Sequence, residues 1–146
     1  MSDRLSNIKF LNKRLHLLFS YKTDIEEHGV LEDWRSLYET FAAGKYFEDD
    51  CDGFAFTAAD ALINEELAYP AEVSVIRCLT ENGRSRRPTS NYNHMVCGVN
   101  VDGTTWIIDN RHSELLLMDE LTESGYKWYD FMEYNDKGNW YKIRQD

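Results

Sequence analysis

"DDCDGFAFTAADAL", residues 49–62, sets a cysteine directly after two aspartates and at the opening of an apolar helical run. Asp50 is a natural N-cap, because a carboxylate can accept from the backbone N–H groups that a first helical turn leaves open. From Cys51 onward Phe54, Ala58, Leu62 and Leu67 recur at helical spacing until Pro70 closes the region. Phe54, Ala55, Ala58, Ala59 and Leu62 give this helix a mostly apolar face. Such a face has to be buried, and what buries it decides the fold.

Downstream of Pro70 the pattern changes from helical to alternating. "AEVSVIRCL" (71–79), "HMVCGVNV" (94–101) and "TTWIID" (104–109) read as strands, the last two joined by Asp102-Gly103, a strong hairpin signal. "YKWYDFMEY" (126–134) and "NWYKI" (139–143) flank "NDKG" and predict a second hairpin. Upstream, Leu5, Ile8, Leu15 and Phe19 form one helical stripe on which Asn12 also falls, and Leu31, Trp34, Leu37, Tyr38 and Phe41 predict a second helix stopped by Gly44. Helices followed by strands predict an α+β domain, with the cysteine helix packed on an antiparallel sheet.

The 146 residues suit one domain spanning 1–146, without repeats, low-complexity tracts or a proline-rich linker. With 42% apolar and 14% aromatic residues the chain can fill a core, which excludes a disordered class. A formal charge of −10 opposes phosphate binding and excludes nucleic acid as a partner. No apolar run is long enough to span a bilayer, and "MSDRLSNIKF" lacks the basic-then-apolar order of a secretory signal, so a cytoplasmic protein without a membrane partner is expected. Three cysteines in a reducing compartment predict free thiols, each needing its own explanation.

The first hairpin offers a geometric test. If Asp102 and Gly103 are the loop, Val101 faces Thr104, Val96 faces Asp109 and His94 faces Arg111. His94 and Asp109 then share a face as diagonal neighbours, within reach of a hydrogen bond, whereas Cys97 and His112 have the opposite parity. That separation argues against a zinc site built on "HMVC". Cys78 and Cys97 read as core residues, and His16 and His28 as surface or helix-end residues.

A cysteine in a helix's first turn meets the positive end of the macrodipole, which favours thiolate, and a histidine oriented by a carboxylate can carry its proton. Cys51, His94 and Asp109 supply nucleophile, acid–base group and orienter in that order. Backbone N–H groups at the helix start could stabilise an oxyanion, with Asn12 as a second donor or, equally, as a buried structural hydrogen bond. Asp49, Asp50 and Asp52 oppose the thiolate; capping accounts for one, and a bound cation would account for the cluster. Trp34 reads as core or cleft lining. Arg84, Arg86 and Arg87 in "ENGRSRRPTSNYN" (81–93) form either a solvated loop or, being next to His94, a contact for an acidic substrate or a lid.

"DDCDGFA", "NHMVCGV" and "GTTWIIDN" resemble the bacterial transglutaminase-like cysteine peptidases of the papain-like superfamily. Asn12, Tyr21, Trp34, Glu39 and Gly44 extend the likeness in order along nearly the whole chain. The resemblance implies a papain-like, transglutaminase-like fold, with Cys51, His94 and Asp109 at the catalytic positions. Some members cleave cell-surface adhesins in the periplasm and bind calcium through acids flanking the cysteine; Asp50 and Asp52 match those acids, and Gly53 stands where a further acid is usual.

The first reading is therefore a cysteine hydrolase attacking a protein or peptide amide through a thioester, with no cofactor required and calcium as an optional ion. On the same three residues an amine could replace water, giving a transglutaminase, or a glutamine could be deamidated. A rival of another class is an inactive protein that captures a partner through its surface. A metal site on Cys51 or Cys97 with histidine is the weakest alternative.

Overall fold

A computed structural model describes residues 2–21, 36–80 and 92–143. The order is α1 (Ser2–Leu18), β1 (Phe19–Tyr21), α2 (Tyr38–Ala42), β2 (Phe47–Asp49), α3 (Cys51–Asn64), β3 (Val73–Leu79), β4 (His94–Val101), β5 (Thr104–Asp109), β6 (His112–Leu117), α4 (Met118–Glu123), β7 (Lys127–Glu133) and β8 (Tyr141–Lys142). Six strands form one antiparallel sheet in the order β6-β5-β4-β3-β7-β8, and β1 pairs with β2 in a separate parallel ribbon. This is the α+β arrangement the sequence predicts.

The cysteine helix lies on the sheet as expected. Nine residues of α3 are buried, among them Phe54, Ala58 and Leu62, and they share a core with Val73, Val75, Met95, Cys97, Val99 and Ile108 from β3, β4 and β5. Each large apolar side chain buried there contributes roughly 1.5–3 kcal/mol. Ile8, Leu11 and Leu15 of α1 close the same core. Ile76, Cys78, Val96 and Ile107 have the other parity and pack beneath Leu121 of α4, Tyr126 and Trp128.

The Asp102-Gly103 turn is present. Both residues have positive φ, 55° and 85°, as a tight hairpin needs, and the register pairs Val101 with Thr104 and Cys97 with Ile108. The second hairpin joins β7 to β8. The second predicted helix is shorter within the described residues, beginning at Tyr38; residues 31–35, with Trp34, lie outside them. Just before Tyr38, Thr57 of α3 accepts from the Leu37 backbone N–H (2.9 Å) and the Ser36 hydroxyl from that of Tyr38 (3.0 Å), which hold Leu37 outside helical geometry. The helix of Cys51 ends at Asn64, so Leu67 falls beyond it.

Asp50 caps α3 as predicted, its Oδ1 accepting from Gly53 N at 3.1 Å. Asp50→Ala is expected to lower the unfolding free energy by about 1 kcal/mol, read from denaturant midpoints with an unchanged slope.

Candidate active site

Strand β4 opens at the site. Asn93 clips the two ends of the β3–β4 connection together: its Nδ2 donates to Thr80 O and its Oδ1 accepts from Thr80 N, both at 2.9 Å. The next residue, His94, is therefore held firmly, and it is buried. Its Nε2 lies 2.7 Å from Asp109 Oδ1, the diagonal contact that the hairpin count predicts. Asp109 is 1% exposed.

The carboxylate is fully engaged. Oδ1 also accepts from Arg111 N (2.9 Å), and Oδ2 accepts from the Tyr126 hydroxyl (2.5 Å). Burial alone would raise the Asp109 carboxyl, but the His94 hydrogen bond and charge, then the Tyr126 and Arg111 donors, outweigh it and hold it below its ordinary range. An ionised carboxylate only accepts, so Nε2 of His94 must carry the proton. Nδ1, buried and without a hydrogen-bond partner, is left as the basic nitrogen.

Cys51 begins α3 and is partly buried. Its sulfur is within hydrogen-bonding reach of the Met95 backbone, one residue beyond His94, and its thiol donates to Asp52 Oδ1 at 3.4 Å rather than to His94. Burial, then the charges of Asp52 and Asp50, push the thiol well above its ordinary range, against the pull of the Met95 N–H. Burial and two adjacent carboxylates thus oppose the thiolate that the helix macrodipole favours. Cys78 and Cys97 are completely buried and pushed up by burial, as core residues should be.

The acids around Cys51 diverge. Asp49 Oδ1 accepts from Asp50 N (2.8 Å), Asp50 caps Gly53, and Asp52 Oδ1 accepts from the Cys51 thiol. The Asp49 carboxylate lies where a Cβ on Gly53 would stand, 1.9 Å from it, so a side chain at position 53 would displace it. Among the described residues no three His, Cys, Asp or Glu side chains converge to hold a metal ion. Asp50 and Asp52, which match the acids that the resemblance implies for calcium, are each engaged with a different partner among the described residues.

Asn12 is buried, with its Nδ2 donating to Ser113 O at 3.0 Å; this bond ties α1 to β6. Its Oδ1 is buried without a hydrogen-bond partner. Arg84, Arg86 and Arg87 lie outside the described residues. Arg111, expected on β5 opposite His94, sits instead in the turn to β6 and reaches Thr80 Oγ1 (2.7 Å). That turn reverses the chain, so His112 pairs across from Asp109 and its Nε2 lies 3.2 Å from the Tyr126 hydroxyl. The parity count for His112 fails because it assumed a continuing strand. His16, read as a surface or helix-end residue, lies in the last turn of α1 and is half-buried, with its ring 5.1 Å from that of Phe54; His28 lies outside the described residues.

Sequence reasoning missed Tyr126, Thr80 and Asn93. Asn93 and Thr80 bracket the loop, a usable signal; Tyr126 is separated from Asp109 by β6 and α4, so no local spacing links the two. A cavity of about 260 Å³, lined by Ser74, Gly98, Asn100, Thr105 and Glu133 among others, opens toward the other end of β4 and contains none of these groups.

No family model matches the chain, and no curated protein does. Solved structures of Legionella pneumophila LapG share its fold. An EGTA-treated form aligns with TM-score 0.61 at 18% identity, over 94% of this chain and 66% of that one. A calcium-bound form aligns with TM-score 0.58 at 16% identity, over 99% of this chain and 77% of that one. The chain thus spans about two thirds to three quarters of those proteins, and the likeness establishes the α+β, transglutaminase-like (papain-like) fold. No helix of the described residues is long and apolar enough to cross a membrane.

Proposed function

We propose that the protein is a cysteine peptidase of the transglutaminase-like type, hydrolysing a protein or peptide amide through Cys51, His94 and Asp109. The observation that carries this reading is the buried His94, with Nε2 fixed on Asp109 and Nδ1 left basic, one residue from the backbone that Cys51's sulfur reaches.

The thiol leaves Asp52 and gives its proton to His94 Nδ1, and the sulfur attacks the carbonyl carbon. The negative charge moves to the carbonyl oxygen, where N–H groups at the start of α3 can meet it. When the C–N bond breaks, the departing amine takes the proton from Nδ1. Water then gives a proton to Nδ1, attacks the thioester and frees the acid, and the sulfur regains its proton. Asp109 keeps Nε2 protonated throughout and offsets the positive ring.

LapG has been solved with calcium bound, and this chain carries three acids beside its cysteine. The proposed reaction is carried by Cys51, His94 and Asp109 and includes no calcium step. Trp34, Arg86 and Arg87 remain proposed substrate contacts from the sequence alone, and Asn12 a proposed oxyanion or support residue. Acyl transfer to an amine uses the same groups, so products from a glutamine peptide with and without an amine donor distinguish the two outcomes.

The test of the reading is alkylation of each cysteine against pH, resolved by mass spectrometry. Cys51 is expected to react faster than Cys78 and Cys97 and to slow in His94→Ala. Asp52→Asn, which removes the carboxylate that holds the thiol proton, should accelerate it by about tenfold or more at neutral pH. A Cys51 no faster than the two buried cysteines, or indifferent to His94, would sink the hydrolase reading and favour a binding protein.

A further inference from the structure

Asp109 is approached from two sides by histidines. His94 Nε2 holds Oδ1 at 2.7 Å, while His112 Nε2 stands 4.0 Å from Oδ2, too far for a hydrogen bond. Between His112 and that oxygen is the Tyr126 hydroxyl, 2.5 Å from Oδ2 and 3.2 Å from His112 Nε2. A phenol has one proton, and Asp109 can only accept. Tyr126 therefore donates to Asp109, and its oxygen accepts from the His112 N–H.

The ring has its own place. It meets His94 edge-on, with centroids 6.1 Å apart and an interplanar angle of 76°, and packs on Trp128 at 5.5 Å. Its backbone N–H bonds to Leu121 O (3.0 Å), so the end of α4 and the start of β7 fix where the hydroxyl falls. The other groups facing Asp109 are the Arg111 N–H, already on Oδ1, and His16 of α1 beside the Asp109 backbone.

We propose that Tyr126 is a positioning residue for the His94–Asp109 pair: its hydroxyl holds the second carboxylate oxygen and keeps His112 from competing with His94 for Asp109. The inference rests on reading that pair as the acid–base element of the site. Without the hydroxyl, the His112 N–H and Asp109 Oδ2 lose their shared partner. The shortest repair is for His112 to close on Oδ2, which rotates the carboxylate and draws Oδ1 away from His94.

The experiment is imidazole-optimised ¹⁵N NMR on the full chain, reading the position of the His94 Nε2–H signal and its exchange with water. Tyr126→Phe keeps the ring, and an unchanged amide spectrum away from the site would show the fold intact. The expected result is an upfield shift of the His94 ring proton and exchange about 10- to 100-fold faster, the scale of one hydrogen bond to a charged acceptor. In Tyr126→Phe/His112→Ala, with the competitor gone, the signal should return toward its original position. No movement in Tyr126→Phe, or movement that the double variant leaves in place, overturns the proposal. Cys51 takes no part in this readout, so an inert Cys51 with a responsive His94 signal would defeat the hydrolase reading and leave the positioning role standing.

Discussion

His94→Ala will lower turnover at Cys51 by about 10²- to 10⁴-fold, the usual range for losing a general acid–base group. KM should change little, because His94 is 2% exposed and offers substrate almost no surface. Asp109→Asn should cost less, about 10- to 100-fold. Two N–H donors, from His94 and Arg111, converge on Oδ1, so an asparagine would turn its carbonyl oxygen to that position and preserve the contact with Nε2. What it loses is the negative charge opposite the ring that becomes positive during the reaction. The assay is kcat and KM on a peptide selected by trapping an acyl group on Cys51; equal, negligible losses in both variants would remove the pair from the chemistry. The same charge sets a pH dependence of folding. Because the folded Asp109 carboxyl is held below its ordinary value of 3.8, its contribution to stability is complete above that range and disappears as pH falls through the lower folded value. Acid melts of Asp109→Asn should therefore be flatter there than those of the parent protein.

How far the sequence reaches is visible at Asp109. The turn at Asp102-Gly103 fixes register by its own chemistry, and period two then carries His94 and Asp109 to one face, so their hydrogen bond can be counted from the letters. Two residues later the same count fails. Asn110 and Arg111 reverse the chain without a glycine or proline to announce it, and His112 returns on β6 opposite Asp109. The cap at Asp50 and the burial of α3 are likewise local and readable. By contrast, the direction of the Cys51 thiol depends on how two neighbouring carboxylates and the Met95 backbone compete, a balance that helix position alone does not settle. The parallel ribbon of β1 and β2 joins short segments distant in sequence, and no periodicity marks it.

The second large effect lies on the other flank of β4 and is one of stability. Arg77→Met or Asp130→Ala should each lower the unfolding free energy by about 3–5 kcal/mol, since either leaves one charge buried without its partner. Arg77 and Asp130 are directly paired across β3 and β7, with Arg77 Nε 2.7 Å from Oδ1 and Nη2 2.5 Å from Oδ2, a two-point contact. The side chains are 13% and 4% exposed, and the guanidinium is 3.7 Å from the Trp140 ring centroid and 4.4 Å from that of Tyr92. The desolvation penalty makes the net value of the intact pair small, so Arg77→Met/Asp130→Leu should recover most of what either single variant loses. Arg77→Lys should not rescue fully, because an ammonium cannot make the two-point contact. Arg77 Nη1 also donates to the Tyr92 hydroxyl at 3.1 Å, two residues before His94. Loss of the pair therefore loosens the entry to β4 as well as the sheet. Denaturant melts of the parent, Arg77→Met, Asp130→Leu and Arg77→Met/Asp130→Leu form the cycle that decides it: a double variant no more stable than the worse single one would mean that the flanking rings, and not the ion pair, hold this part of the sheet.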